Sequence, residues 1–147
     1  MKAAEKRTDN VSAAEAEIQA LTDHWTDAVQ RKDFNAIMSH YADDVTAFDV
    51  PPPLEIEGAD SVRQNMVNWL NMFEGPGEVK FKHMKITAGE DVAFLHTLTS
   101  VTPKGAGHES WVRVTVCYEK IDGKWLVTHE HASLPFDGRS TVEGLKP

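Results

Sequence analysis

The stretch Trp111–Ser133, WVRVTVCYEKIDGKWLVTHEHAS, consists of two segments in which apolar and polar residues alternate, separated by an Asp-Gly pair. Alternation with a period of two is typical of a β-strand that is buried on one side. Asp-Gly between two such runs favours a two-residue turn. The stretch therefore predicts an antiparallel hairpin that turns at Asp122 and Gly123.

The same turn predicts which side chains share a face of the sheet, because a two-residue loop sets the register. Counted from the turn, Val116 lies opposite His129, and Val114 lies opposite His131. Opposed residues point to the same side. The more apolar side, which we expect to face inward, carries Val112, Val114, Val116, Tyr118, Val127, His129, His131 and Ser133.

The sequence before the hairpin predicts three helices and three further strands. Ser12 and Glu15 form a capping-box pattern, so we expect the first helix to begin at Ser12. Asp33 can cap a short second helix, and Gly58–Phe73 has the apolar spacing of a third. The segments DDVTAFDV, VKFKHMKIT and DVAFLHTLTSV predict strands. Because the helices come mainly first and the strands last, the predicted class is α+β with a mainly antiparallel sheet.

Length and charge limit the possible organisation and partners. The 147 residues predict one domain, residues 12–135, with a flexible N-terminal arm at 1–11 and a C-terminal extension at 136–147. The net charge of −8 disfavours nucleic acid and anionic membranes as partners. The sequence contains neither an apolar run of roughly 20 residues nor a signal-peptide pattern, so we expect a cytoplasmic location.

Three histidines are predicted to converge on the inner face. His96 joins His129 and His131 there, because Phe94, His96, Leu98 and Ser100 form the natural inner set of the preceding strand. Polar groups in an apolar concavity are typical of a ligand pocket, although each imidazole could instead bond a neighbour inside a filled core. A zinc site that also uses Asp49 is a further alternative. We expect neither a bound metal nor a cofactor, since no carboxylate is in evidence to orient the imidazoles.

The segments DHWTDAVQRKDFNAIMSHYADDVTAFDV and EGADSVRQNM, together with the hairpin, resemble the NTF2-like superfamily, in particular its SnoaL-like and ketosteroid-isomerase-like members. The resemblance covers about residues 14–135. It implies a cone in which a curved, mainly antiparallel sheet wraps around three N-terminal helices, with an internal pocket and usually a homodimer. It implies no single activity, because the superfamily includes isomerases, cyclases, dehydratases, epoxide hydrolases and modules that only bind or oligomerise.

The resemblance also implies roles for individual residues. Asp49, in YADDVTAFDV, occupies the position of the proton-shuttling aspartate of ketosteroid isomerases. Trp25 stands where that family has an oxyanion-hole tyrosine, and Val114 or Val116 stands where it has a protonated aspartic acid. One of the three catalytic elements is therefore matched.

Two classes of function follow. In the first, the protein is an isomerase or lyase in which Asp49, His96 and His131 are the catalytic candidates, and Asp49 removes a proton next to a carbonyl. In the second, it is a non-catalytic ligand-binding or dimerisation module. Either would take a small hydrophobic or carbonyl-containing ligand. The residues expected around that ligand are Trp25, Tyr41, Phe48, Asn65, Trp69, Val114, Val116, His129 and Ser133.

The outer face of the predicted hairpin mixes apolar and polar side chains, which suits a two-fold interface. We therefore expect a homodimer through this face. Its predicted members are Trp111, Arg113, Thr115, Cys117, Leu126, Thr128 and Glu130.

Overall fold

A computed structural model describes the backbone of residues 2–136 and the side chains of residues 13–136. In this part of the chain the elements are α1 Lys2–Arg31, α2 Phe34–Met38, β1 Tyr41–Phe48, β2 Ile56–Glu57, α3 Ala59–Leu70, β3 Gly77–Ala88, β4 Val92–Pro103, β5 Trp111–Ile121 and β6 Lys124–Ser133. The strands form one curved sheet in the order β2-β1-β6-β5-β4-β3. The pairing of β1 with β6 is parallel and the other pairings are antiparallel. The predicted α+β class is confirmed.

Helix α1 begins at Lys2, so the prediction that the first helix begins at Ser12 is wrong. Residues 2–11 belong to this helix rather than to the expected separate arm. The sequence there is rich in Ala, Lys and Glu, which favour a helix without forming an apolar face, and apolar periodicity therefore could not detect it. Of the expected C-terminal extension, residues 137–147 lie outside the described residues.

The helices pack on one face of the sheet and form the core with it. Asp33 caps α2 as predicted, because its Oδ1 accepts a 3.1 Å hydrogen bond from the backbone N–H of Ala36. Each fully buried aliphatic side chain contributes about 1.5–3 kcal/mol to the free energy of folding. The largest fully buried aliphatic side chains among the described residues are Ile18, Val29, Ile37, Val45, Val62 and Leu70.

The hairpin of β5 and β6 turns at Asp122 and Gly123 as predicted, and both residues have positive φ, 51° and 78°. The predicted register holds only as far as the pair Tyr118–Val127. At Thr128 a β-bulge then inserts an extra residue into β6, so that Cys117 lies opposite His129.

Beyond this bulge the faces of β6 are the reverse of those predicted. Val116 lies opposite Glu130, and Thr115 lies opposite His131. A shift of a single residue moves every following side chain to the other face. The prediction that His129, His131 and Ser133 share the inner face with the valines is therefore wrong, as is the assignment of Glu130 to the outer face.

The predicted faces of β4 are also reversed. Ala93, Leu95, Thr97 and Thr99 are buried, whereas Phe94 and His96 are exposed. His96 pairs with Thr115, a member of the outer face. The prediction that His96 points into the interior is therefore wrong.

Within the described part of the chain, no helix is both long enough and apolar enough to cross a membrane.

Candidate functional site

A cavity of about 500 Å³ lies between the inner face of the sheet and the helices. A volume of this size is typical of small-molecule sites. α1 and α3 form one wall, β4, β5 and β6 form the other, and the end of β1 with the residues that follow it reaches the opening. Of the residues predicted from the sequence, those that line the cavity are Trp25, Tyr41, Phe48, Asp49, Asn65, Trp69, Val114, Val116 and His131.

The predicted site residues that do not line the cavity are His96, His129 and Ser133. His96 and Ser133 instead border an open depression on the outer face of the sheet. His129 is held by the backbone: its Nδ1–H donates a 2.7 Å hydrogen bond to the carbonyl oxygen of Thr46. His131 is exposed and borders both the cavity and the outer depression, so it lies at the rim.

Glu130 takes the inner position that the histidines were expected to fill. Its Oε2 accepts a 2.9 Å hydrogen bond from the hydroxyl of Tyr41, at the start of β1. Both residues line the cavity, with Trp25 of α1 beside Tyr41. A carboxyl group in such apolar surroundings loses most of its hydration, which disfavours its charged form.

Loss of hydration accordingly raises the pKa of Glu130 to about 7. The hydrogen bond from Tyr41 acts in the opposite direction, and the negative charge of Asp49 adds to the rise. At neutral pH the carboxyl group of Glu130 is therefore protonated in a large fraction of molecules. It can then donate a hydrogen bond or a proton, which an ionised carboxylate cannot do.

Burial also raises the pKa values of the two tyrosines beside this group. The pKa of Tyr41 lies well above its usual range because of burial and the nearby Glu130. Loss of hydration raises the pKa of Tyr118 to about 12. Both phenols therefore keep their protons at neutral pH, and their hydroxyl groups remain hydrogen-bond donors.

Asp49 follows β1 directly and is fixed by two hydrogen bonds. Its Oδ2 accepts a 2.7 Å bond from the side-chain amide of Asn65 on α3, and its Oδ1 accepts a 2.7 Å bond from the backbone N–H of Val50. Three prolines follow Val50 and cannot extend the strand, and Asp49 lines the cavity between the exposed residues Phe48 and Val50. Asp49 and Asn65 are thus in contact in the wall of the cavity.

The residues Phe48, His129 and His131 form an aromatic cluster at the rim. The ring of Phe48 lies 4.8 Å from that of His129 and 5.5 Å from that of His131, both edge-on. Among the described residues, no group of three or more His, Cys, Asp or Glu side chains is arranged to hold a metal ion.

Sequence reasoning missed Glu130, although a signal for it exists. Trp125 and Val127 keep the two-residue period of the buried face, but the next apolar residue, Ala132, follows after five positions instead of four or six. An odd interval between apolar residues of one strand indicates an inserted residue, which is a bulge. Counting back from Ala132 places Glu130 on the inner face.

Comparison with known proteins identifies the family to which the chain belongs. A family model for the SnoaL-like domain matches residues 18–137, so the chain belongs to the SnoaL-like domain family. This confirms the resemblance to the NTF2-like superfamily. No curated protein matches the chain in sequence.

Solved structures share the whole fold. An NTF2-like protein of unknown function from Pseudomonas putida KT2440 is 33% identical, with a TM-score of 0.81 over 88% of this chain and 92% of that one. The association domain of C. elegans CaMKII is 20% identical, with a TM-score of 0.68 over 86% and 99%. A ketosteroid isomerase-like protein from Erwinia carotovora atroseptica SCRI1043 is 20% identical, with a TM-score of 0.63 over 81% and 94%. The fold occurs in isomerases, dehydratases and association domains alike.

Proposed function

We propose that this protein is an isomerase or lyase that moves a proton next to a carbonyl group of a small, largely apolar ligand. The observation that carries the proposal is that two carboxyl groups in different surroundings, Asp49 and Glu130, line one cavity. Titratable groups whose environments differ in this way commonly divide the roles of base and acid between them.

Asp49 is the residue we assign as base. Its two hydrogen bonds, from Asn65 and from the backbone of Val50, fix the orientation of the carboxylate at the opening. A base held in one orientation does not have to be ordered when the ligand binds, which lowers the barrier to proton transfer.

Glu130 is the residue we assign as acid. Because its pKa is about 7, its protonated form is available at neutral pH to bond the oxygen on which negative charge develops. The hydroxyl of Tyr41 already bonds Oε2, so we assign Oε1 to the ligand. Glu130 thus supplies a hydrogen-bond donor to the oxyanion. Trp25 and Val114 or Val116, which stand at the positions of the family's own donors, do not reproduce those donors.

The reaction needs no cofactor. Asp49 accepts the proton as the C–H bond breaks, and the electron pair forms an enolate whose oxygen is bonded by Glu130. Return of the proton to another carbon gives an isomer. In a hydroxylated substrate, loss of the β-hydroxyl as water, with a proton from Glu130, gives a dehydrated product instead. His131 lies at the rim, where it can contact the ligand, and His96 on the outer face has no part in these steps.

The test is exchange of the protons next to the carbonyl of small cyclic ketones, such as 2-tetralone and cyclohexenone, with deuterium from the solvent. We expect the protein to accelerate exchange, and Asp49→Asn to reduce the rate by about 10²–10⁴-fold. Glu130→Gln is expected to reduce it by about 10²-fold, mainly through kcat. Asp44→Asn is the matched control, since Asp44 is an exposed carboxylate on β1, the strand that Asp49 follows.

If no ketone exchanges faster with the protein than without it, or if Asp49→Asn is as fast as the parent, the enzyme assignment fails. The second candidate, a ligand-binding or association module, would then remain. It is favoured by the apolar side chains exposed on the outer face, among them Phe94 at 43% and Val92 at 57%.

A further inference from the structure

The depression on the outer face of the sheet is bordered by several basic side chains. These are His83, His96, Arg113 and His131. Among the described residues, those that line the depression include no aspartate and no glutamate. Because the chain as a whole has a net charge of −8, this part of its surface differs in charge from the overall composition.

The register of the sheet explains why the surface has a depression here. Thr115 on β5 lies opposite His96 on β4 and opposite His131 on β6. Opposed residues point to the same side of a sheet, so a short side chain stands between two longer ones. The backbones that carry the two imidazoles are two strand spacings, about 10 Å, apart. A small ion therefore has room above Thr115.

Two further basic side chains reach the same depression. Arg113 is two residues from Thr115 on β5 and therefore shares its face. On β3, a bulge between Lys82 and Lys85 contains His83, whose backbone has a positive φ of 56°. Hydrogen-bond donors from four neighbouring strands thus border one space.

The guanidinium of Arg113 is fixed in orientation but is not neutralised within the described part of the chain. Its Nε–H donates a 3.2 Å hydrogen bond to Oγ of Ser133, and its Nη2 donates a 3.0 Å bond to the carbonyl oxygen of Leu134. Among the described residues, Nη1 has no partner and no carboxylate forms an ion pair with Arg113. By contrast, Arg31 and Lys80 each pair with two carboxylates.

We propose that the outer depression binds a tetrahedral oxyanion, the chemistry of phosphate and sulfate groups. Arginine suits such groups because its guanidinium donates in a fixed geometry. Each imidazole can donate an N–H in either protonation state, and Thr115 and Ser133 add hydroxyl donors. Phosphate offers acceptor oxygens in several directions, so it meets more of these donors than a planar carboxylate with two oxygens.

This site is separate from the proposed reacting groups. Neither Asp49 nor Glu130 lines the depression, and of its basic residues only His131 also borders the cavity. In the homodimer predicted through this face, the anion would lie between the subunits and offset the positive charge that each contributes.

The experiment follows the ¹⁵N NMR signals of labelled histidine side chains during titration with sodium phosphate, at constant pH and ionic strength. The signals of His83, His96 and His131 should shift with one common Kd, whereas that of His108, an exposed histidine outside the depression, should not. Sulfate should compete with phosphate. Acetate should bind about tenfold more weakly, since it makes fewer charge-assisted hydrogen bonds.

Phenyl phosphate distinguishes two sources of the anion. Shifts of the same signals at equal or lower concentration would indicate the phosphate group of an organic monoester. Shifts with inorganic phosphate alone would indicate the free ion.

Arg113→Gln should weaken phosphate binding about tenfold through loss of a charge-assisted hydrogen bond. Arg31→Gln is the matched control, because it removes an exposed guanidinium from α1 and should leave the affinity unchanged. Thr115→Phe keeps every charge but fills the space between the imidazoles, so it should abolish binding. Arg113 and Thr115 are both exposed, so neither substitution removes core packing.

The site is refuted if phosphate shifts none of the three histidine signals, or shifts that of His108 equally. Equal weakening in Arg113→Gln and Arg31→Gln would also refute it, because the attraction would then come from net charge. Unchanged affinity in Thr115→Phe would place the anion outside the depression.

Discussion

The hydroxyl of Tyr41 donates a 2.9 Å hydrogen bond to Oε2 of Glu130 and so joins the first residue of β1 to the inner face of β6. The bond connects two strands that run parallel, inside the cavity. It stabilises the ionised form of a carboxyl group whose surroundings favour the neutral form.

Tyr41→Phe should therefore raise the pKa of Glu130 above about 7, because the bond that stabilises the carboxylate is removed. The measurement is a ¹³C NMR titration of labelled glutamate side chains. Tyr118→Phe is the control, since it removes another cavity phenol and keeps the bond to Glu130. An unchanged or lowered pKa in Tyr41→Phe would contradict the assigned hydrogen bond.

Asp49→Asn should lower the pKa of Glu130, the opposite of the change expected in Tyr41→Phe. The negative charge of Asp49 raises the pKa of Glu130, so its removal should bring that pKa below about 7. The same NMR titration measures it, with Asp44→Asn as a charge-matched control. If both variants shift the pKa equally, the effect comes from net charge and not from proximity in the cavity.

The dependence of stability on pH should be nearly flat in the parent protein, because the part-buried Glu130 and the buried His40 oppose each other. The pKa of Glu130 is raised from 4.5 to about 7, so its contribution favours folding at low pH and is lost as the pH rises to 7. The pKa of His40 is lowered from 6.5 to about 4 by burial and by the charges of His24 and Lys124. Its contribution is present above 6.5 and is lost as the pH falls to 4.

In Glu130→Gln, the pH dependence of stability that is due to His40 should become measurable. The free energy of unfolding should then rise by about 2 kcal/mol between pH 4.5 and pH 6.5. Urea unfolding at several pH values measures this. Glu119→Gln, at an exposed position on β5, is the control and should leave the profile flat. A flat profile in Glu130→Gln would show that the two groups do not compensate each other.

Trp111→Glu should dissociate the homodimer that we predict through the outer face of the sheet. Trp111 lies on that face, where the ammonium of Lys82 is 4.2 Å from its ring centre. A charge there would be buried in the interface, which is costly. Sedimentation at micromolar concentration measures the result, and Leu54→Glu, at an 86% exposed side chain, is the control. A parent protein that is already monomeric would refute the prediction.

Much of the fold follows from the sequence because local signals suffice for it. The turn at Asp122 and Gly123 and the cap at Asp33 depend on residues close in the chain. Asp49 was placed in the site through the family resemblance, Asn65 was expected beside the ligand, and the structure brings the two into contact. Their roles in binding or catalysis remain predictions.

The histidine site was predicted incorrectly, for two physical reasons. The bulge at Thr128 leaves only one trace in the sequence, the odd interval between Val127 and Ala132, and the regular alternation around it hides that trace. On β4, the larger side chains Phe94 and Leu98 suggested an inner face, but the inner positions hold Thr97 and Thr99. A strand that lines an open cavity can carry small and hydroxyl-bearing residues where a filled core would need large apolar ones.

Thr128 is the residue that the bulge leaves without a partner on β5, and the bulge decides which side chains of β6 face the cavity. The same sequence paired without the bulge would present two imidazoles to the cavity and a carboxylate to the outside, with every residue retained. On this scaffold a change in register by one residue would exchange a carboxylic acid for a pair of weak bases. Catalytic repertoires can thus diverge within one sheet through its register, before any side chain is replaced.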